Sequence, residues 1–310
     1  MNRAALFPGQ GAQFPGMGRE LAERFPEARA LFERADAALG IPLTRTLFEG
    51  SEDEVGRTDV CQPGIFLVSA ATMEVLRERR GLGRGGFSCA AGLSLGEYTA
   101  FWFAGCFGFE DAVRLTRARG RAMQEAADAV PSGMAAVLGL EPRLCEEACA
   151  GARSLGPVVV ANLNAPGQVV ISGARAALEK ACEAARALGA RRVMPLKVAG
   201  AFHSPVMEPA AERLREALCA VEVRAAALPV YANVSAEPVR EPAAVRDALA
   251  RQVTAPVLFQ RTLESMAAAG VAEAVEPAPG RILAGFAKKA APGIAVASYD
   301  TADAVAGEAA

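Results

Sequence analysis

Histidine is almost missing from this chain: His203 is the only one in 310 residues. Seven cysteines are present, at positions 61, 89, 106, 145, 149, 182 and 219, yet no two form a C-x-x-C pair. One imidazole and no paired thiols leave a zinc cluster short of ligands. Cys145 and Cys149 share a helix face and read as buried packing residues. A basic excess is missing too, since 33 Lys and Arg stand against 35 Asp and Glu, for a formal net charge of −2. That balance argues against a nucleic-acid binder, whose footprint is basic. No apolar run approaches the roughly 20 residues needed to span a bilayer. Met1-Asn2-Arg3 leads straight into an apolar segment, without the long core and cleavage site of a signal peptide. Internal repeats, low-complexity tracts and charge runs are also absent. The expectation is a reduced, cytoplasmic protein. Its 52% hydrophobic content can fill one large domain or two smaller ones.

The order of elements points to an α/β chain. Residues 4–7 read as a buried strand, stopped by the glycine-rich loop Pro8-Gly9-Gln10-Gly11-Ala12-Gln13. Helical patterns cover 17–25 and 27–39, and another begins at Pro63, taken as a first-turn proline, and runs to 80. A strand at Phe87 and a helix over 110–127 follow, with Asp111 as a helix-terminus residue. Then the rhythm changes: strand 134–140, helix 141–151, strands 158–162 and 169–172, helix 174–188, strand 192–198. That β-α-β-β-α-β order is the split motif of ferredoxin-like domains. It sits inside a larger body that resumes near Gly200. The rest reads as helix 209–221, strand 229–233, helices 243–252 and 257–269, strand 272–276 and helix 281–290. Strands alternating with helices argue for a parallel sheet.

Chemistry enters at Gly92-Leu93-Ser94-Leu95-Gly96-Glu97-Tyr98. A strand, a G-x-S-x-G turn and a helix in succession can present a nucleophilic serine at a helix N-terminus. The plainer alternative is a glycine-rich turn whose serine only caps the helix. If Ser94 attacks, His203 is its one available base, placed in a loop after a strand. An orienting third group is harder to find. Asp111 and Asp128 lie between Ser94 and His203, Asp247, Asp300 and Asp303 beyond, and none sits in a suitable loop. A backbone carbonyl can serve instead, giving a Ser–His dyad. Arg119 shares a helical stripe with Ala112, Leu115, Ala122 and Ala126. A guanidinium on an apolar face needs a partner. Periodicity favours a structural pair with Glu or Asp over a clamp for a substrate carboxylate. The N–H of Gln10 and that of Leu95 can converge as an oxyanion hole, although a simple tight turn accounts for Gln10 as well.

Six ordered segments together resemble the malonyl-CoA:acyl carrier protein transacylases and the acyltransferase domains of polyketide synthases. They are 7–13, 92–98, Arg119-Gly120-Arg121-Ala122-Met123-Gln124, 162–173, Ala201-Phe202-His203-Ser204 and Arg251-Gln252. The resemblance covers nearly the whole chain. It implies a hydrolase-like parallel-sheet body, residues 1–129 and 199–310, with an inserted ferredoxin-like (βαββαβ) subdomain, residues 130–198. It implies Ser94 as nucleophile, His203 as base, and Gln10 and Leu95 as oxyanion donors. Arg119 becomes the clamp on the malonyl carboxylate, against the preference from periodicity. Met123, Phe202 and Asn162 are implied as substrate contacts, and the main-chain carbonyl of Gln252 as the group that orients His203. Phe202 matches malonyl-selective members, which leave no room for a methyl branch. Two departures stand out. Leu93 occupies a position that is usually His, and Ala278 replaces a glycine in Glu276-Pro277-Ala278-Pro279-Gly280.

The implied reaction carries malonyl from CoA to the phosphopantetheine thiol of acyl carrier protein through a malonyl-serine, with no metal or redox cofactor. Lys288, Lys289, Arg191 and Arg192 are candidates for a basic patch facing an acidic carrier protein, though solvated faces account for each of them equally well. Alternatives are a free-standing acyltransferase that loads a polyketide synthase, a serine esterase or thioesterase, and a non-catalytic carrier-binding protein.

Overall fold

Strand β1 (Arg3–Phe7) begins the computed structural model, which describes residues 2–307. Residue 1 and residues 308–310, the outer limits expected for the large unit, lie outside the described residues. Five helices follow: α1 (Arg19–Arg24), α2 (Pro26–Leu39), α3 (Leu43–Glu49), α4 (Glu52–Gly56) and α5 (Thr58–Arg80). Next come β2 (Cys89–Gly92), α6 (Leu95–Phe103) and α7 (Phe109–Ala129). The middle of the chain holds β3 (Ser132–Leu138), α8 (Pro142–Ala150), β4 (Val158–Ala165), β5 (Gln168–Ala174), α9 (Arg175–Ala187) and β6 (Arg192–Pro195). The last third holds α10 (Glu208–Cys219), β7 (Val230–Tyr231), β8 (Pro238–Val239), α11 (Pro242–Gln252) and α12 (Phe259–Ala268). It ends with β9 (Glu273–Pro277), α13 (Ile282–Ala290), β10 (Ala295–Tyr299) and α14 (Ala302–Ala306).

Two sheets form. The larger runs β10-β9-β1-β2-β7-β8, parallel throughout except for β8, which pairs antiparallel with β7. Ala5 and Phe7 point into one apolar cluster, with Phe66 and Phe101, while Ala4 and Leu6 point into another, with Phe259 and Leu263. Burial on both faces explains why β1 is apolar without alternation. Phe7 lies in register with Gly92, so the loops that follow β1 and β2 leave the carboxyl end of the sheet side by side. Ligand sites of open parallel sheets form outside the carboxyl ends of their strands.

The smaller sheet is antiparallel, ordered β4-β5-β3-β6, with α8 and α9 packed over a core containing Val137, Ile171, Cys145 and Ala181. Fold class and strand order agree with the reading of an α/β body carrying a ferredoxin-like insertion. The segment that leads into α12 is tied to β4: Val257 N–H donates to Ala161 O at 2.8 Å, and Leu163 N–H to Val257 O at 2.9 Å. Val257 therefore forms a bridge with Asn162 rather than the first turn of a helix, and α12 starts at Phe259.

Pro63 does not open its helix. Helix α5 starts at Thr58, so the proline stands inside the helix and not in its first turn. Its missing N–H leaves the Asp59 carbonyl without an intrahelical donor, and the Arg117 guanidinium hydrogen-bonds that carbonyl from α7. A tertiary contact thus makes good what the local sequence lacks. Five short elements, α3, α4, β8, β10 and α14, carry too little periodicity to be anticipated and owe their form to packing.

Candidate active site

The turn after β2 is closed to anything but glycine at two points. A Cβ on Gly92 would fall 1.9 Å from the Gly96 carbonyl carbon, and one on Gly96 would fall 2.1 Å from Phe7 O. Between them Ser94 adopts φ 52°, a left-handed conformation that strains an L-residue. Hydrogen bonds hold it there. Asn233 Oδ1 accepts from the Ser94 N–H at 2.7 Å, while Asn233 Nδ2 donates to Gly92 O at 2.7 Å. Gln252 Nε2 donates to Ser94 O at 2.7 Å. The Ser94 side chain makes no capping bond to α6, so the plain cap is not what the serine does. Leu95 is the first residue of α6, and its N–H lacks an i−4 carbonyl within the helix.

His203 lies in the loop between β6 and α10, 3% exposed and also left-handed, with φ 57°. Its Nε2 is 2.7 Å from Ser94 Oγ, and its Nδ1 is 2.8 Å from the carbonyl oxygen of Gln252. A carbonyl only accepts, so Nδ1 carries the proton and Nε2 presents a lone pair to the serine hydroxyl. No Asp takes part in this geometry; the orienting group is main chain. Burial pushes the His203 pKa down to about 4, with the Arg119 charge adding to the effect and the Gln252 and Ala255 carbonyls opposing it. The imidazole is neutral at neutral pH, the form a general base requires.

Arg119 projects from α7 and is 1% exposed. Nη1 donates to Gln62 Oε1 at 2.7 Å, and Nη2 to Gln252 Oε1 at 2.7 Å and Ser94 Oγ at 3.1 Å. The guanidinium lies over the Tyr98 ring, 5.4 Å from its centroid. Nε is buried without a partner. Among the described residues the structural Glu or Asp pair favoured by periodicity does not form; the partners are two amide oxygens and the Ser94 hydroxyl. Burial lowers the Arg119 pKa, with Tyr98 and Glu97 acting in the opposite direction. Two amide oxygens and one hydroxyl meet this buried cation, and none of them carries a charge to balance it.

The loop after β1 packs on the elbow so closely that a Cβ on Gly9 would fall 2.2 Å from Leu93 O. This brings Gln10 to the mouth of a cavity of about 130 Å³ that it lines with Ser94, Met123, Asn162, Phe202 and His203. Leu93 lines it as well and packs against the cluster around Phe259. Phe202 is fixed by its carbonyl, which accepts from Ser172 Oγ at 2.6 Å. Arg119, Leu95 and Gln252 sit behind this wall, at 1%, 0% and 0% exposure. Ala278 is buried, with its carbonyl accepting from Ser69 Oγ at 2.8 Å. Lys288, Lys289, Arg191 and Arg192 are exposed, and none of them lines this cavity.

Sequence reasoning missed three residues here: Gln62, Asn233 and Glu97. Each is fully buried. Glu97 Oε1 accepts from Asn233 N–H at 3.0 Å, and Oε2 accepts from Gln252 Nε2. Burial pushes the Glu97 pKa up to about 7, against the Asn233 N–H, the Gln252 amide and the Arg119 charge. The available signal was a lone amide or carboxylate in an apolar stretch, as in Cys61-Gln62-Pro63-Gly64-Ile65-Phe66. Such a residue must be satisfied from elsewhere in the chain.

Residues 5–297 match the family model described as the acyl transferase domain. The malonyl CoA-acyl carrier protein transacylase of Bacillus subtilis is 42% identical over 289 residues, 92% of this chain and 89% of that protein. The crystal structure of the acyl-carrier-protein S-malonyltransferase from Bartonella henselae superposes with a TM-score of 0.94 at 40% identity, covering 98% of this chain and 97% of that one. A malonyl-transacylase solved in complex with a type II polyketide synthase acyl-carrier protein superposes with a TM-score of 0.93 at 36% identity, covering 99% of both chains.

Proposed function

Since this chain belongs to the acyl transferase family, we propose that its buried Ser94–His203–Arg119 cluster carries malonyl from CoA to the phosphopantetheine thiol of acyl carrier protein. The observation that carries the reading is the placement of both His203 Nε2, at 2.7 Å, and Arg119 Nη2, at 3.1 Å, on the same Ser94 oxygen. The relatives named above act on malonyl-CoA and acyl carrier protein, and the match extends over nearly the whole chain.

The proposed mechanism is a double displacement through a malonyl-serine. His203 Nε2 takes the Ser94 proton as Oγ attacks the thioester carbonyl of malonyl-CoA. Negative charge on the carbonyl oxygen develops toward the N–H groups of Gln10 and Leu95. The C–S bond then breaks, and the proton on His203 passes to the departing CoA thiolate. A malonyl ester remains on Ser94, its free carboxylate paired with the Arg119 guanidinium. Phosphopantetheine thiol enters next, gives its proton to His203 and attacks the ester. Ser94 leaves and recovers the proton, and malonyl is now a thioester of the carrier protein. The Gln252 carbonyl holds the imidazole through both halves. Met123, Asn162 and Phe202 bound the acyl group, with Phe202 filling the space a methyl branch would need. No step calls for a metal or redox group. A site closed enough to bury its base limits competing hydrolysis, which weighs against an esterase.

We assign the reaction to fatty acid synthesis in the cytoplasm. The seven cysteines are all free thiols, six of them buried, as suits a reducing compartment. Among the described residues no helix is long and apolar enough to cross a membrane. Service to a polyketide synthase is the second reading, favoured by the likeness to the transacylase solved with a polyketide carrier protein. We also propose that residues 130–198 act as a separate small subdomain against the body formed by 1–129 and 199–310.

Intact-protein mass spectrometry tests the reading. Brief mixing with malonyl-CoA should add one malonyl group to Ser94, and holo acyl carrier protein should remove it as malonyl-carrier. An adduct on another residue, or one released only as free malonate, would overturn it. Comparing carriers from the two pathways separates the first reading from the second.

A further inference from the structure

The side-chain amide of Gln252 stands at the centre of the site, and its orientation decides what Arg119 meets. Its Oε1 faces Arg119 Nη2 at 2.7 Å, while its Nε2 faces Ser94 O at 2.7 Å and Glu97 Oε2. Glu97 also receives the Asn233 backbone N–H at 3.0 Å, a donor that cannot turn away. Two donors therefore converge on Glu97 and need two acceptor oxygens, which a carboxylate supplies and an amide does not. Glu97 lines no part of the acyl cavity and touches neither Ser94 Oγ nor His203 through its side chain. We infer that Glu97 is a positioning residue for acyl selectivity: together with Ser94 O it holds the Gln252 amide in the orientation that meets Arg119, and through it the guanidinium that receives the substrate carboxylate. This rests on the reading of Arg119 as the malonyl clamp.

Glu97→Gln is the discriminating change. Its amide oxygen goes to the Asn233 N–H, and its NH2 then confronts the NH2 of Gln252. That repulsion displaces the Gln252 amide against the hold of Ser94 O, and its Oε1 withdraws from the guanidinium. The Gln252 main chain, and with it the orientation of His203, stays in place. Rates of Ser94 acylation by malonyl-CoA and by acetyl-CoA, measured by rapid-quench mass spectrometry, should separate. Malonyl kcat/KM should fall roughly tenfold or more beyond acetyl kcat/KM, the scale of one lost charge-assisted hydrogen bond. An equal loss for both donors, or no loss, overturns the proposal. Gln252→Met, which keeps the main-chain carbonyl and removes the amide, should show the same selective loss, and still tests the idea if Glu97→Gln does not fold. The double variant should lose no more than either single one; additive losses also overturn the proposal. Arg119→Ala runs beside them. If it fails to separate malonyl from acetyl, the clamp reading itself falls, whereas a selective Arg119→Ala with an unselective Glu97→Gln sinks only the role of Glu97.

Discussion

Arg119 Nη2 donates to Ser94 Oγ at 3.1 Å, so the cation proposed for the acyl carboxylate touches the oxygen proposed to attack the acyl carbonyl. Only one methylene separates those two functions in malonyl. The closeness also places a positive charge near His203, whose pKa it helps to lower. On the proposed roles, substrate selection and base strength are coupled through one side chain.

Arg119→Ala should cut malonyl transfer by roughly a hundredfold more than acetyl transfer, the scale of a lost bidentate carboxylate contact. Some loss for acetyl is also expected, because the oxygens of Gln62 and Gln252 lose their buried donor. Steady-state kcat/KM for the two donors checks this. Equal losses would make Arg119 structural.

The same substitution should move a pH limb. The proposed acylation needs neutral His203, so its rate should fall as pH drops through the His203 pKa, about 4. Removing the Arg119 charge raises that pKa, and the acid limb for acetyl transfer should shift to higher pH. Single-turnover acylation from pH 4 to 8 would show it. An unmoved limb would mean that the base titrating there does not feel Arg119.

His203 and Glu97 should tilt stability in opposite directions. Folding lowers His203 from 6.5 to about 4, so its contribution is complete above pH 6.5 and drains away as pH falls toward 4. Folding raises Glu97 from 4.5 to about 7, so its contribution is complete below pH 4.5 and is lost as pH rises toward 7. Between 4.5 and 6.5 the two slopes oppose each other. Relative to the unsubstituted protein, stability of Glu97→Gln should rise with pH across this window, and that of His203→Ala should fall. Urea midpoints at three pH values measure both, and parallel curves would contradict the assignment.

Phe202→Ala should widen the cavity beside Ser94 and admit a methyl branch. One methyl is worth about 1–3 kcal/mol in a pocket, so methylmalonyl transfer relative to malonyl should improve by roughly ten- to a hundredfold. Competition between the two CoA esters, read on the carrier protein by mass spectrometry, decides it. An unchanged ratio would place selectivity elsewhere, with Met123 and Leu93 as the next walls to test.

Gly96→Ala should fold poorly or not at all. Its Cβ would fall 2.1 Å from Phe7 O and 2.8 Å from Pro8 O, both main-chain atoms of the loop and strand beside the elbow. Soluble yield and thermal melting give the answer, and a stable, active variant would show that the loop can retreat.

The chain by itself determined whatever depends on order and local conformation. The glycines around Ser94 are dictated by a turn tight enough to exclude a Cβ. The β-α-β-β-α-β succession prescribed the antiparallel sheet, and a single histidine left only one possible base. Tertiary structure decided every question about partners. Periodicity placed Arg119 on a buried stripe and suggested a carboxylate, but the groups that meet it come from α5 and from the end of α11, 57 and 133 residues away in sequence. Asn233 reaches Ser94 across 139 residues because β7 lies beside β2 in the sheet. Pro63 sits within a helix because Arg117 of α7 takes the carbonyl it strands. Hydrogen bonds of buried polar groups are satisfied by whatever the fold brings near. Spacing along the chain reports which groups need a partner; only the packing of distant segments supplies one.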